Sequence, residues 1–224
     1  HCILCLPTLA AFACGEYGVI EQTFPKDLGI THNGHPFDIV MSNLLISIWY
    51  REEKWLAKAL PAAEKFCAQK KPRWQQFAVS FLLALYHGDI LTMEDCLQNL
   101  CVNFSYSDFS SEEKQVCIPA HGLYCFARQI STGKTGHMLT MPEHHNFLKE
   151  YAAWRMENPH PTHKLYFEYP APMELLNQVL MAPVAKSSLK QPYLNSDNQY
   201  LSFKDKKAWY LDEKAMLDAF CQTV

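Results

Sequence analysis

The chain has 224 residues, 49% of them apolar and 19% charged, a balance that excludes a disordered segment and supplies enough apolar surface for a core without cross-links. Its 20 Lys and Arg against 23 Asp and Glu leave a formal charge of -3, and the basic residues are scattered among acids, which argues against a nucleic-acid partner. Nine cysteines, an odd number, lie mostly inside apolar helical patterns, so buried free thiols in the cytoplasm are expected rather than a secreted disulfide framework.

The first apolar run, Ile3 to Ala13, is too short to span a bilayer and has no basic segment before it. It reads as a core helix in a soluble protein, with no membrane partner. The sequence starts at His1 rather than at a methionine, which leaves open a segment upstream. Turn residues at His32-Asn33-Gly34-His35-Pro36 precede apolar positions at helical spacing, Phe37, Val40, Met41, Leu44, Leu45, Ile48 and Trp49. A second stripe, Leu56, Ala59, Leu60, Ala63, Phe66 and Cys67, follows at once, and Pro61 is expected to kink it.

Pro72 then opens the clearest helix, with Trp74, Phe77, Ala78, Phe81, Leu82, Leu85 and Tyr86 on one face and Gly88 as its stop. Met93, Leu97, Leu100, Cys101 and Phe104 form the next stripe, for which Thr92 and Asp95 offer a capping pair. Ser110-Ser111-Glu112-Glu113 offers a capping box before Val116, Ala120, Leu123, Tyr124 and Ala127, and Pro119 should bend that helix. Short connections force successive amphipathic helices to lie antiparallel. The fold class is therefore mainly α, an antiparallel helical bundle or a repeat-like helical array. Glycines at Gly15, Gly18 and Gly88 echo helix-Gly-helix arrays, but no fixed period runs through the chain.

After Ile130 comes a Ser-Thr-Gly-Lys-Thr-Gly loop, then a helix around Phe147, Leu148, Tyr151 and Trp154. Leu165 to Pro170 is short and Pro-bounded, hence extended, and Met173 to Leu180 returns to helix. Residues 183–198 are polar and contain Pro and Ser, as a linker or surface loop does; Tyr200-Leu201-Ser202-Phe203 and Ala208-Trp209-Tyr210-Leu211 then suggest a short β-hairpin before a last helix. The chain divides into a helical domain over 1–182 and a linker with a small extension over 183–224.

Ten histidines invite a metal reading, above all His32 with His35, His144-His145, and His160 with His163. No His-Glu-x-x-His helix and no matched pair of Cys-x-x-Cys motifs accompanies them, so loop histidines are the expectation, with no metal and no cofactor. Cys2 and Cys5 have redox spacing but sit in an apolar helix, where core packing is expected. Gly133-Lys134-Thr135 lacks the upstream glycine and preceding strand of a phosphate loop. Glu143, Glu150 and Glu157 lie seven apart and should share one helix face as solvated acids rather than as an acid/base pair. No catalytic residue emerges.

The series from Trp74 to Tyr86, Gly88-Asp89, a helix ending near Leu100, and His121-Gly122-Leu123 is followed by Lys164-Leu165-Tyr166-Phe167-Glu168-Tyr169-Pro170-Ala171-Pro172 and Leu175-Leu176-Asn177. From about Phe37 to Leu180 this order resembles the immunity-49 family of bacterial polymorphic-toxin immunity proteins. The resemblance implies a cytoplasmic antidote that neutralises a cognate toxin by stoichiometric binding and is not an enzyme. Many secreted toxins are basic nucleases, so Glu143, Glu150, Glu157 and Glu168 are the expected toxin-binding residues. A tetratricopeptide-like scaffold binding an unrelated protein or peptide is the competing expectation, and a helical metalloenzyme the third.

Overall fold

A computed structural model describes residues 4–68, 73–131, 138–158, 165, 167–190 and 209–223. The fold is mainly α, with ten α-helices and one two-stranded antiparallel pair among the described residues. None of these helices is long and apolar enough to cross a membrane. The chain forms two compact units: one holds residues 4–17 and 30–158, the other Gly18–Gly29 with the described residues from 165 onward.

The larger unit begins with α1 (Cys5–Ala13), which buries Cys5, Leu9 and Phe12. The next helix in the chain, α2 (Val19–Thr23), belongs to the smaller unit. In the larger unit, α3 (Pro36–Tyr50) starts on Pro36, whose fixed φ suits a first turn, and buries Phe37, Met41, Leu44, Leu45, Ile46 and Ile48. Burial on nearly every side makes α3 a central helix. It ends on Arg51 in the left-handed region, φ 51°, where Glu52 N–H closes back onto the Ser47 carbonyl. Two residues later α4 (Glu53–Cys67) returns beside it, and runs on through Pro61 without a break, with that proline on its exposed side.

The helix α5 (Trp74–His87) stops at Gly88, φ 71°, and α6 (Ile90–Phe104) starts after a single further residue. Asp89 is the cap of α6: its carboxylate accepts from Thr92 N–H at 3.1 Å and from the Thr92 hydroxyl at 2.6 Å. The expected Thr92/Asp95 cap is thus displaced by three residues, because Asp89 still has extended backbone while Thr92 is already inside the first turn. Ser110 and Glu113 do form a reciprocal box, but on a 3-10 turn, Glu113–Gln115, and not on the helix that follows. That helix, α7 (Ile118–Ile130), carries Pro119 in its first turn, so the proline starts the helix instead of bending it.

Helices α1 and α7 approach most closely at Gly122. A Cβ built there would collide with the Leu9 carbonyl and lie 2.8 Å from Leu9 Cβ. Around this point Phe12 stacks on Phe126 at 5.2 Å and 4°, with Trp49 at 6.3 Å from both rings. A second aromatic group joins α3, α5 and α6 through Phe37, Trp74 and Phe104, at 5.1 and 5.6 Å. The segment before α8 (Lys149–Glu157) is tied to α6 and α7 by polar bonds: buried Asn146 donates to the Cys101 carbonyl at 3.0 Å and accepts from Cys117 N–H at 2.8 Å. Buried His121 accepts from Leu148 N–H at 3.0 Å and stacks on Phe147 at 4.0 Å.

In the smaller unit, Ser187 binds α2, its N–H to the Gln22 carbonyl at 2.7 Å and its hydroxyl to Thr23 O at 2.8 Å. Leu175–Met181 forms α9, and Glu213–Cys221 forms α10, capped by Asp212. Between them β1 (Leu189–Lys190) pairs antiparallel with β2 (Tyr210–Leu211). Within the expected hairpin, β2 falls in the second arm, residues 208–211, and pairs with β1. Residues 200–203, its expected first arm, lie outside the described residues, as do residues 132–137 of the Ser-Thr-Gly-Lys-Thr-Gly loop.

Gly122→Ala is expected to cost roughly 1–3 kcal/mol, the usual range for overpacking, read as a lower denaturant midpoint. The second expectation concerns pH. Burial pushes the His121 imidazole from 6.5 down to about 4. Between those values the unfolded chain holds a proton that the folded one does not, so the contribution of neutral His121 is whole above 6.5 and lost as pH falls toward 4. Going from pH 7 to 4.5, wild type should lose about 2 to 3 kcal/mol more than His121→Gln, which keeps an acceptor but does not titrate. Urea titrations at the two pH values measure the difference.

Candidate protein-binding surface

Residues 167–170 carry no regular secondary structure, Ala171-Pro172 forms a turn closed by Met173 N–H on the Pro170 carbonyl, and α9 follows. Asn177 on α9 binds both backbone groups of Tyr169: Tyr169 N–H donates to Asn177 Oδ1 at 2.7 Å, and Asn177 Nδ2 donates to the Tyr169 carbonyl at 2.9 Å. The amide thus imitates a strand neighbour and pins the aromatic segment to the helix. Phe167 packs edge-on against Tyr169 at 5.0 Å.

What this frame presents is apolar. No residue of α9 is buried, and Leu175 and Leu180 are 61% and 58% exposed. Leu176, Val179 and Met181 are exposed as well, as are Phe167 and Met173 beside them. Five of the seven residues of α9 are apolar, and surface of that kind is normally buried. Exposed and contiguous, such surface marks a place where another molecule docks.

A second exposed face belongs to α8. On its inner side Arg155 is buried: its guanidinium binds the Cys14 carbonyl at the end of α1 and the Asn158 carbonyl at 2.9 Å. The positive charge therefore sits on the negative end of the α1 dipole. Gly15, φ 82°, leaves room for it, since a Cβ there would come within 2.9 Å of Arg155 Nη2. Tyr151 adds a bond from its hydroxyl to the Ala13 carbonyl at 3.3 Å. With Tyr151 and Arg155 fastened inward, Glu150, Trp154, Met156 and Glu157 face solvent.

Glu150 and Glu157 accordingly share one face of α8, with Trp154 between them. Glu143 does not join them. The helix starts only at Lys149, and Glu143 stands in the extended segment before it, its N–H bound to Gln98 Oε1 at 2.8 Å and its carboxylate paired with Lys149. Glu168 is exposed in the smaller unit, between Phe167 and Tyr169. Within the larger unit Glu150 and Glu157 thus form a pair and Glu143 an ion-paired neighbour before the helix. Trp154 was the residue hidden from sequence reasoning: its spacing from Tyr151 reads as core, and only the inward anchoring of Tyr151 and Arg155 turns it out.

Among the described residues no three His, Cys, Asp or Glu side chains gather as metal ligands do. His32 and His35 are exposed, His144 Nδ1 is bonded to Asn146 Oδ1 at 2.8 Å, and His160 and His163 lie outside the described residues. Cys5, Cys96, Cys101 and Cys117 are buried, whereas Cys14 and Cys221 are exposed and Cys2 lies outside the described residues. Burial pushes the Cys96 thiol up to about 12 and Cys125 to about 11, which keeps both protonated and unreactive at neutral pH. Compared with protein-family models, curated proteins and solved structures, the chain matches none.

If the Asn177 amide holds the aromatic segment, Asn177→Ala should free it without unfolding the chain. Amide exchange at Tyr169 is expected to rise by an order of magnitude or more, on the scale of one lost bond of about 1.4 kcal/mol. Unchanged exchange at Tyr169 would mean that the clamp contributes nothing.

Proposed function

We propose that this chain is an immunity protein, a cytoplasmic antidote that binds a cognate toxin and acts by occupying its surface rather than by catalysis. The observation that carries the reading is the exposed apolar platform built from Phe167, Leu175, Leu176 and Leu180, held by the clamp of Asn177 on half-buried Tyr169. Phe167, Leu175 and Leu176 belong to the aromatic-Pro and Leu-Leu-Asn segments on which the resemblance to the immunity-49 family rests. Full burial of a Leu or Phe side chain is worth about 1.5–3 kcal/mol, so a few anchors of this kind suffice for tight association after its entropic cost. The Asn177 clamp lowers that cost by fixing the backbone before the partner arrives.

The larger unit has an exposed face of its own, on α8. Trp154 is a residue type that dominates interface energetics, and its flanking Glu150 and Glu157 would steer a basic partner such as a nuclease toxin. Glu168 adds an acid to the platform itself. Glu143, already neutralised by Lys149, contributes least.

Co-expression with the product of the adjacent toxin gene tests the reading directly. A stoichiometric complex and survival of the producing cell are expected. Leu180→Glu should weaken the complex at least 30-fold, the scale of a hot-spot loss of about 2 kcal/mol. Glu150→Lys with Glu157→Lys should slow association and reduce its salt dependence. Cell death despite abundant antidote would overturn the proposal, and capture of an unrelated peptide by the same platform would move the chain to the class of helical scaffolds.

A further inference from the structure

We propose that Cys101 and Cys117 are a thiol–disulfide couple, closed to an internal disulfide by exchange with a low-molecular-weight disulfide such as oxidised glutathione. Cys101 stands in the last turn of α6, and Cys117 is the residue from which α7 starts. Both are fully buried, and their thiols share a hydrogen bond. Asn146 ties the same two residues a second time, since its amide donates to the Cys101 carbonyl at 3.0 Å and its carbonyl accepts Cys117 N–H at 2.8 Å. Two helix ends and one loop residue therefore hold the sulfurs face to face.

Other cysteines of the larger unit have oxygen partners instead. Cys67 accepts from the Ser80 hydroxyl at 3.2 Å and lies 3.7 Å from the Gln76 carbonyl. Cys14 accepts from the Tyr151 hydroxyl at 3.8 Å, and Cys125 is bonded to Tyr17. None of these contacts can become covalent by thiol exchange, whereas a sulfur against a sulfur can. A metal would ask for more than this pair supplies, because among the described residues no three His, Cys, Asp or Glu side chains gather. A disulfide asks only that the two sulfurs close to about 2 Å.

Burial, and after it the Cys101 thiol, push the Cys117 thiol up, so the closed pair exchanges slowly. Reaction runs while the segment that carries Asn146 is lifted, or before it docks during folding. One cysteine gives up its proton and attacks the glutathione disulfide, which forms a mixed disulfide and expels one glutathione thiolate. The other then attacks the cysteine sulfur of that mixed disulfide and expels the second. Two protein thiols are oxidised, one small disulfide is reduced to two thiols, and the two protons end on the released glutathione. The product closes a loop of 15 residues, 102–116, which favours the folded chain roughly 100-fold by restricting the unfolded one. Such a couple stands whether or not the chain neutralises a toxin.

Refolding of the whole reduced chain from urea, in a buffer of reduced and oxidised glutathione, tests the assignment. After acid quenching and alkylation, mass spectrometry should find a monomer lighter by two hydrogens, and fragmentation of its peptides should join Cys101 to Cys117. The urea midpoint of this species should lie above that of the reduced chain and return on addition of dithiothreitol. Cys117→Ala should abolish the link, whereas Cys14→Ser should leave it; if Cys117→Ala does not fold, the peptide map of the wild-type chain decides alone. When oxidised glutathione is added to the folded chain, Asn146→Ala should form the link roughly tenfold faster than wild type, the scale of one lost hydrogen bond. Glutathione adducts alone, a link between other cysteines, no loss of hydrogen, or an equal rate in Asn146→Ala would overturn the proposal.

Discussion

Helices α1 and α7 touch backbone to side chain at Gly122, and the larger unit is organised around that closeness. Because Gly122 has no Cβ, Leu9 can lie against α7, and this brings Phe12 flat against Phe126 with Trp49 of α3 beside both. A stacked pair of rings adds about 0.5–1.5 kcal/mol beyond its burial, but only at the right separation. Moving α7 outward by the width of one methyl would undo the stack, release α3 from it and shift the C-terminal end of α7. The residue next to Gly122, His121, carries the same placement outward to Leu148 and thus to the start of α8.

Apolar packing sets distances in this protein, whereas side-chain amides and one guanidinium set the path of irregular backbone. Asn43 binds both backbone groups of Thr31 at 2.7 and 2.9 Å, as Asn177 does with Tyr169 in the other unit. Asn146 performs a related task between Cys101 and Cys117. In each case a loop outside regular secondary structure would leave buried or half-buried peptide groups unpaired; the Asn43 and Asn177 amides supply donor and acceptor together, whereas Asn146 donates through its amide and accepts Cys117 N–H on its own backbone carbonyl. Arg155 is the charged version. It sits in a low-dielectric site, and the α1 C-terminus offsets part of that cost, although its Nε remains without a bond. That cost is borne for position: Arg155 fixes which way α8 turns.

Much of the fold was legible in the sequence because it rests on local signals. The stripes of α3, α5 and α6 follow helical spacing, and Gly88 ends α5 in the left-handed region that favours glycine. Errors arose where a residue can serve two roles. A proline at position 119 reads as a bend until the start of the helix is known, and then it is a favoured first-turn residue. Thr92 has capping chemistry, yet Asp89 lies one turn earlier and takes the role. Arg51 ends α3 without glycine, which no spacing announces. For the binding surface the order was reversed: the aromatic-Pro and Leu-Leu-Asn segments stood out by type, but whether Leu175 and Leu180 faced a core or solvent depends on tertiary contacts that a one-dimensional pattern does not contain. Glu150 and Glu157 could be paired from spacing alone, while excluding Glu143 required knowing where α8 begins.

The two exposed faces differ in what they ask of a partner. The α9 platform is mostly apolar, with Glu168 and Glu174 as its acids, so most of its affinity would come from area removed from water. The α8 face sets one aromatic among carboxylates that remain solvated, so its charges act on encounter more than on residence. A partner that used only the second would associate fast and leave fast, and one that used only the first would bind without orientation. Specific, long-lived capture needs an apolar anchor to slow dissociation and a charged rim to select the partner. The reading as an antidote therefore rests first on Phe167, Leu175 and Leu180, with Glu168 and Glu174 as the acids of the same unit.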